Sequence, residues 1–189
     1  MISSERATQD RVVKLFQKEL GYTPLFCFNL QDRYGNSNIE EGPLKMFLTE
    51  TQGYSETLAT KAISILKAES TNYHRKLYFN NQAVYSLLHY GVDVKETIGK
   101  HTDTVWLIDW HHPERNHFYI AEEVTIQGNL EKRPDIVLYV NGIALAVIEL
   151  KKSSKGISEG IRQNLTNQQP EFIESFFSTI QICFAGNDS

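Results

Sequence analysis

Arg133-Pro134-Asp135-Ile136-Val137-Leu138-Tyr139-Val140-Asn141-Gly142-Ile143-Ala144-Leu145-Ala146-Val147-Ile148-Glu149-Leu150-Lys151 is the stretch that decides the fold. Two apolar runs rich in β-branched residues flank Asn141-Gly142, a strong short-range signal for a β-hairpin. Both runs are apolar at successive positions, so both faces of both strands are expected to be covered. Yet the outer ends of this buried hairpin carry Asp135, Glu149 and Lys151. Charge is costly to bury unless it is paired or holds a metal. A conflict between local pattern and buried setting is where function is sought.

Outward from the hairpin, the chain reads as an α/β domain. Residues 92–98 and 104–109 are predicted to pair across Gly99-Lys100-His101, and residues 118–127 form a third strand. After Lys151 comes a polar loop. A helix then runs from a Ser158 cap to about Gln169, with Ile161 and Leu165 facing inward. Phe172 to Phe177 suggests a further helical turn, and residues 179–184 a last strand. Before the sheet, Ser4 is placed to cap a helix reaching Leu20 and stopped by Gly21. Its apolar stripe is Val12, Val13, Leu15, Phe16 and Leu20. Residues 25–30 read as a short strand, 31–42 as a polar loop, and 44–51, 55–67 and 80–89 as helices. The block 23–91 therefore looks like a helical insertion or cap following the first helix.

Composition narrows the function. Hydrophobic residues make up 41% of 189 residues, which supports a packed core. The net charge of -4 gives no global basic field for nucleic acid, so such a partner would need a local patch. Cys27 and Cys183 lie in apolar settings and read as buried reduced thiols, as expected of a cytoplasmic protein. The N-terminus lacks the apolar core of a signal peptide, and no apolar run is long enough to span a membrane. Trp106 and Trp110 read as packing residues. His111 and His112 lack a third ligand at zinc spacing.

Two carboxylates and a lysine at one sheet edge suit a hard cation such as Mg²⁺, which needs only one or two carboxylates and keeps several waters. Glu149 and Lys151, two apart on a strand, share a face. Asp135 shares it only under a condition. A regular two-residue turn pairs Val140 with Ile143 and Asp135 with Ile148, facing away from Glu149. A three-residue loop with Gly142 as the left-handed residue, or a bulge further along, brings the acids together, so a metal site here argues against a simple two-residue turn. The competing structural reading has Asp135 capping a turn and Glu149 bridging to Lys151 or Arg133.

Pro134-Asp135, a gap, then Glu149-Leu150-Lys151 resembles the PD-(D/E)xK nuclease signature. Ser4 to Tyr22, Gly35 to Glu41, Val105 to Trp110, the hairpin and Glu159 to Leu165 together resemble the N-terminal nuclease region of the R (motor) subunit of type I restriction enzymes. The resemblance implies a restriction-endonuclease-like mixed β-sheet flanked by helices, and a Mg²⁺-dependent endonuclease acting on double-stranded DNA. It implies Asp135 and Glu149 as metal ligands, with the Leu150 carbonyl as a further one, and Lys151 as the catalytic lysine. Gln163 matches the glutamine of a Gln-x-x-x-Tyr motif, but position 167 is Asn. Glu5 matches an acid on the first helix. Sequence recognition would come from partner modification and specificity subunits. No Gly-x-x-x-x-Gly-Lys-[Ser/Thr] occurs, so ATP-driven translocation is expected to belong to a part of the protein following Ser189, with residues 1–189 forming the endonuclease domain. Lys152, Lys155 and Arg133 are the expected phosphate contacts. The alternative function is a catalytically silent DNA- or subunit-docking module on the same fold.

Overall fold

A computed structural model describes residues 5–25, 37–99, 101–126 and 128–187. A five-stranded mixed sheet is the frame. It contains β1 (Thr23–Pro24), β4 (Phe118–Glu122), β5 (Ile136–Val140), β6 (Ile143–Lys151) and β7 (Ile182–Asn187), in the order β1-β4-β5-β6-β7. β4, β5 and β6 form an antiparallel meander, while β1 and β7 join parallel at the two edges. Helix α1 (Glu5–Lys18) covers one face, packing Val13 with Ile120, Ile136, Leu138, Ala146, Ile148 and Leu150. The other face buries Val137, Tyr139, Ala144 and Val147 against Ile173, Phe176, Phe177 and Ile180. Helix α5 (Ile157–Asn167) crosses between β6 and β7. This is the α/β sheet flanked by helices that the sequence implied.

Helices α2 (Glu41–Met46), α3 (Glu56–Ser70) and α4 (Leu77–Tyr90) form a second core with a separate two-stranded ladder of β2 (Val92–Lys95) and β3 (Thr102–Val105). A π-helical turn, Phe47–Thr51, extends α2, and Ser55 caps α3 by accepting from the Leu58 N–H. Ile143, at the start of β6, belongs to this core beside Leu44, Phe47 and Leu48. The hairpin tip is thus driven into the helical block. Its outer ends lie roughly 25 Å away along β6, at about 3.3 Å per residue.

The tip is a two-residue turn: Val140 pairs with Ile143. Asn141 (φ 53°) and Gly142 (φ 88°) are both left-handed, as a type I′ turn requires. The Asn141 side chain is fully buried and fully used. Its Nδ2 donates to the Leu107 carbonyl (3.0 Å) and Asn116 Oδ1 (2.8 Å), and its Oδ1 accepts from the His117 N–H (2.7 Å). Gly142 has no room for a side chain, since a Cβ would lie 2.6 Å from the Glu40 carbonyl oxygen.

Of the two register solutions, the three-residue loop is absent and the bulge is present. Tyr139 pairs with Ala144, but Leu138 pairs with Ala146, leaving Leu145 as the extra residue. The parity of β6 reverses there, so its outer half faces opposite to what a regular hairpin would give.

Several expectations need correction. Val13 is buried and Val12 and Phe16 half-buried, but Leu15 and Leu20 are exposed, because Thr8 and Gln9 take part of the inward face of α1. On α5, Ile161 and Leu165 point to solvent, while Gly160, Asn164 and Asn167 face inward. That helix begins after Gly156 with no side-chain cap, so Ser158 is not its N-cap. Strands 92–98, 104–109 and 118–127 are shorter than expected, and the last strand starts at Ile182. Cys183 is exposed on edge strand β7 rather than buried. Trp110 is half exposed, although its Nε1 donates to the Leu88 carbonyl (2.8 Å). Ser4, Cys27 and most of the expected strand at 25–30 lie outside the described residues. Among those residues no helix is long and apolar enough to cross a membrane.

Candidate active site

One position beyond the last ladder pair, Ile136 with Ile148, Asp135 and Glu149 stand opposite each other on adjacent strands. The Leu145 bulge puts both on the face of Val137 and Val147. Their carboxyl groups lie within hydrogen-bonding reach of each other. Asp135 is half-buried, and its Oδ2 accepts from the Leu150 N–H at 2.6 Å. Glu149 is fully buried. Lys151 follows on the same face with its side chain 13% exposed. Its Nζ donates to the Leu150 carbonyl (2.9 Å) and lies 3.7 Å from Glu5 Oε1. The acid of the first helical turn is therefore at the site, 3.7 Å from the lysine rather than on a remote surface.

Helix α5 supplies the floor. Gly160 lets it approach β6 closely: a Cβ there would meet the Ala185 Cβ at 3.1 Å and the Glu149 carbonyl oxygen at 3.5 Å. One turn further on, Gln163 Nε2 donates to Glu149 Oε2 (2.7 Å), and Asn167 Nδ2 donates to Oε1 (3.4 Å). The inward face of α5 is polar because it meets a buried carboxylate. That requirement outweighs burial of Ile161 and Leu165, which hydrophobic periodicity favoured. The departure from tyrosine at position 167 does not leave Glu149 without a contact there.

Burial dominates the electrostatics. It raises the Asp135 pKa, with the Leu150 N–H and the Lys151 charge opposing and the Glu5 charge adding to the rise. Glu149 is pushed up to about 8, first by burial and then by the Asp135 charge, with Lys151 opposing. Two buried acids of raised pKa beside a single lysine leave the cluster short of positive charge. A pair of hard oxygen donors in that state has the chemistry to take a divalent cation.

Some participants carried no sequence signal of their own. Gln9 is buried one turn after Glu5, and its Nε2 donates to Glu122 Oε2 (3.2 Å) and the Asp135 carbonyl (3.4 Å). Glu123 adopts a left-handed φ of 48°, and its N–H donates to the same Asp135 carbonyl (2.9 Å). Its carboxylate pairs with Arg6 (2.9 Å) and Arg133 (3.2 Å). Helical spacing from Glu5 could have indicated Gln9, whereas the turn at Glu123 has no glycine or asparagine to announce it. Of the expected phosphate contacts, Arg133 is thus paired with Glu123, Lys155 is paired with Glu159 (3.2 Å), and Lys152 is exposed.

The sequence matches, over residues 2–189, the family described as "Type I restriction enzyme R protein N terminus". The chain belongs to that family. It is 24% identical over 151 residues to the "Putative type I restriction enzyme MjaIXP endonuclease subunit" of Methanocaldococcus jannaschii, covering 75% of this chain and 14% of that protein. It is 31% identical over 114 residues to the MjaVIIIP endonuclease subunit of the same organism, covering 60% of this chain and 11% of that one. It is 33% identical over 92 residues to the "Type I restriction enzyme HindI endonuclease subunit" of Haemophilus influenzae, covering 47% and 9%. The chain therefore matches only a small part of the length of these relatives.

Proposed function

We propose that this family member is the DNA-cleaving unit of a type I restriction enzyme, a Mg²⁺-dependent endonuclease that hydrolyses phosphodiester bonds. One observation carries the reading: the bulge at Leu145 sets Asp135 and Glu149 opposite each other, with Lys151 on the same face. A purely structural pair of acids has no need of this arrangement, in which Glu149 is fully buried at a cost to its ionisation. Relatives named as type I restriction endonuclease subunits support the same reading.

Asp135 and Glu149 would hold the cation, and the Leu150 carbonyl would offer a third oxygen. Bound there, Mg²⁺ supplies Lewis-acid polarisation of a phosphoryl oxygen and a more acidic water. The chain's own contribution is positional. Asp135 is fixed by the Leu150 N–H, and Glu149 by the α5 amides. Lys151 presents its ammonium group beside the acids, held by the Leu150 carbonyl and Glu5. There it can orient the attacking water and offset the negative charge that builds on the phosphoryl oxygens. In the net reaction water adds across one P–O bond: the hydroxyl goes to phosphorus and the proton to the leaving oxygen. DNA affinity from Lys152, Lys155 and Arg133 is expected to be modest and salt-sensitive, since two of the three are already paired and the net charge is -4. Target recognition and ATP-driven translocation would come from partner subunits and other parts of the subunit.

Metal-dependent cleavage of duplex DNA by the full-length assembly tests this, comparing wild type with Asp135→Ala and Lys151→Ala. Both substitutions are expected to abolish cleavage. Unchanged cleavage in both overturns the assignment.

A further inference from the structure

We propose that Asn167 is a positioning residue for this site: with Gln163 it forms a two-amide clamp that fixes the Glu149 carboxylate in the orientation needed to share a cation with Asp135. The inference rests on the metal-site reading above and adds a residue to it. Gln163 and Asn167 lie four apart on α5 and so share a helix face. They address different oxygens, Gln163 reaching Oε2 and Asn167 reaching Oε1. Contacts to both oxygens restrain the carboxylate against rotation about its terminal bond more firmly than a contact to one oxygen does.

The type of donor matters as much as its position. A lysine or arginine at either place would neutralise Glu149 and compete with a cation. A carboxamide satisfies the carboxylate while leaving its charge available. Asn167 is also placed at some cost. It is 1% exposed, and its Oδ1 is buried with no hydrogen-bond partner among the described residues, an arrangement that destabilises a helix packed for stability alone. Asn164 provides the contrast on the same helix. It too is buried, with an Oδ1 that has no partner among the described residues, but its Nδ2 donates to the Phe184 carbonyl on β7 and not to Glu149.

That contrast gives the experiment. Mn²⁺ affinity of the 189-residue chain is measured by isothermal titration calorimetry, alongside the metal-free melting temperature. The proteins are wild type, Asn167→Leu, Asn164→Leu and Asp135→Ala, with Asn167→Ser as a smaller change should the leucine variant not fold. Removing a group that orients a ligand typically weakens metal binding about 10–100-fold. Asn167→Leu, or Asn167→Ser in its place, is expected to show a loss of that size. Asn164→Leu is expected to lower the melting temperature while keeping wild-type affinity. Wild-type affinity in the Asn167 variant, or an equal loss in Asn164→Leu, overturns the clamp. If Asp135→Ala binds Mn²⁺ as wild type does, or wild type binds none, the metal site itself is wrong and the clamp falls with it. That failure appears in the wild-type and Asp135 measurements and is distinct from a failure confined to position 167.

Discussion

Replacing Glu149 with glutamine is expected to stabilise the metal-free protein and, under the proposed function, to abolish metal-dependent cleavage by the full-length assembly. The carboxyl group is fully buried, and its pKa rises from an ordinary 4.5 to about 8. The folded state therefore holds the Glu149 proton more tightly than the unfolded chain does. Below about pH 4.5 both states are protonated and the group imposes no penalty. As pH rises the unfolded chain ionises first, so stability falls until the folded group ionises near pH 8, and is flat beyond. At about 1.4 kcal/mol per pH unit, the full loss is about 5 kcal/mol. That is comparable to the whole stability of a weakly stable domain, about 5 kcal/mol at the low end. Glutamine resembles the neutral acid in shape and cannot ionise. Urea unfolding of wild type and Glu149→Gln in EDTA, across pH 5 to 9, gives the difference directly. The variant should gain on wild type by about 1.4 kcal/mol per pH unit up to pH 8, then hold a constant lead. Parallel stability curves for the two proteins would falsify the account of Glu149 as a charge buried against its preference.

The same linkage makes metal binding pH-dependent. The cation needs ionised carboxylates, so the rise in melting temperature produced by a fixed Mn²⁺ concentration should be larger at pH 8.5 than at pH 6. An equal rise at both pH values counts against Asp135 and Glu149 as the ligands. Gly142→Ala is expected to cost about 2–4 kcal/mol by chemical denaturation, because a Cβ would meet backbone at 2.6 and 2.9 Å at a φ of 88°. A loss below the resolution of the unfolding curves would mean the tip is free to shift. Deleting Leu145 should leave a folded sheet with Asp135 and Glu149 on opposite faces, read as loss of Mn²⁺ binding with strand content retained by circular dichroism. Retained binding would show that the bulge does not set the register of the acids.

Much of the frame was legible because it is written in local chemistry. Asn141-Gly142 announces a hairpin, and continuous apolar runs announce interior strands; both are found, although the need to bring Asp135 to Glu149 argued against the two-residue turn that is observed. The grouping of Asp135, Glu149 and Lys151 could be stated only as a condition on register. Alanine and leucine carry no signal that separates a regular strand from a bulged one, so Leu145 was not identifiable in advance. Reading α5 by hydrophobic periodicity put Ile161 and Leu165 inside. The error arose because one fully buried carboxylate requires amide partners more than the core requires two aliphatic side chains. Gln9 and Glu123 act on the Asp135 carbonyl from segments more than ten residues away in sequence, a relation that only the packed fold creates.

The extra residue in β6 has an implication for how this site can change over generations. What position 145 contributes to the acids is a count, not a chemical group. Exchange of one amino acid for another there leaves the count intact and is expected to be cheap for the chemistry, whatever it does to packing. Loss of one codon anywhere between Ala144 and Ile148 alters the count and turns Glu149 and Lys151 away from Asp135 without touching any of the three. Gain of a second extra codon does the same. The candidate site is therefore guarded against substitution along this strand far better than against slippage of the reading by a single triplet.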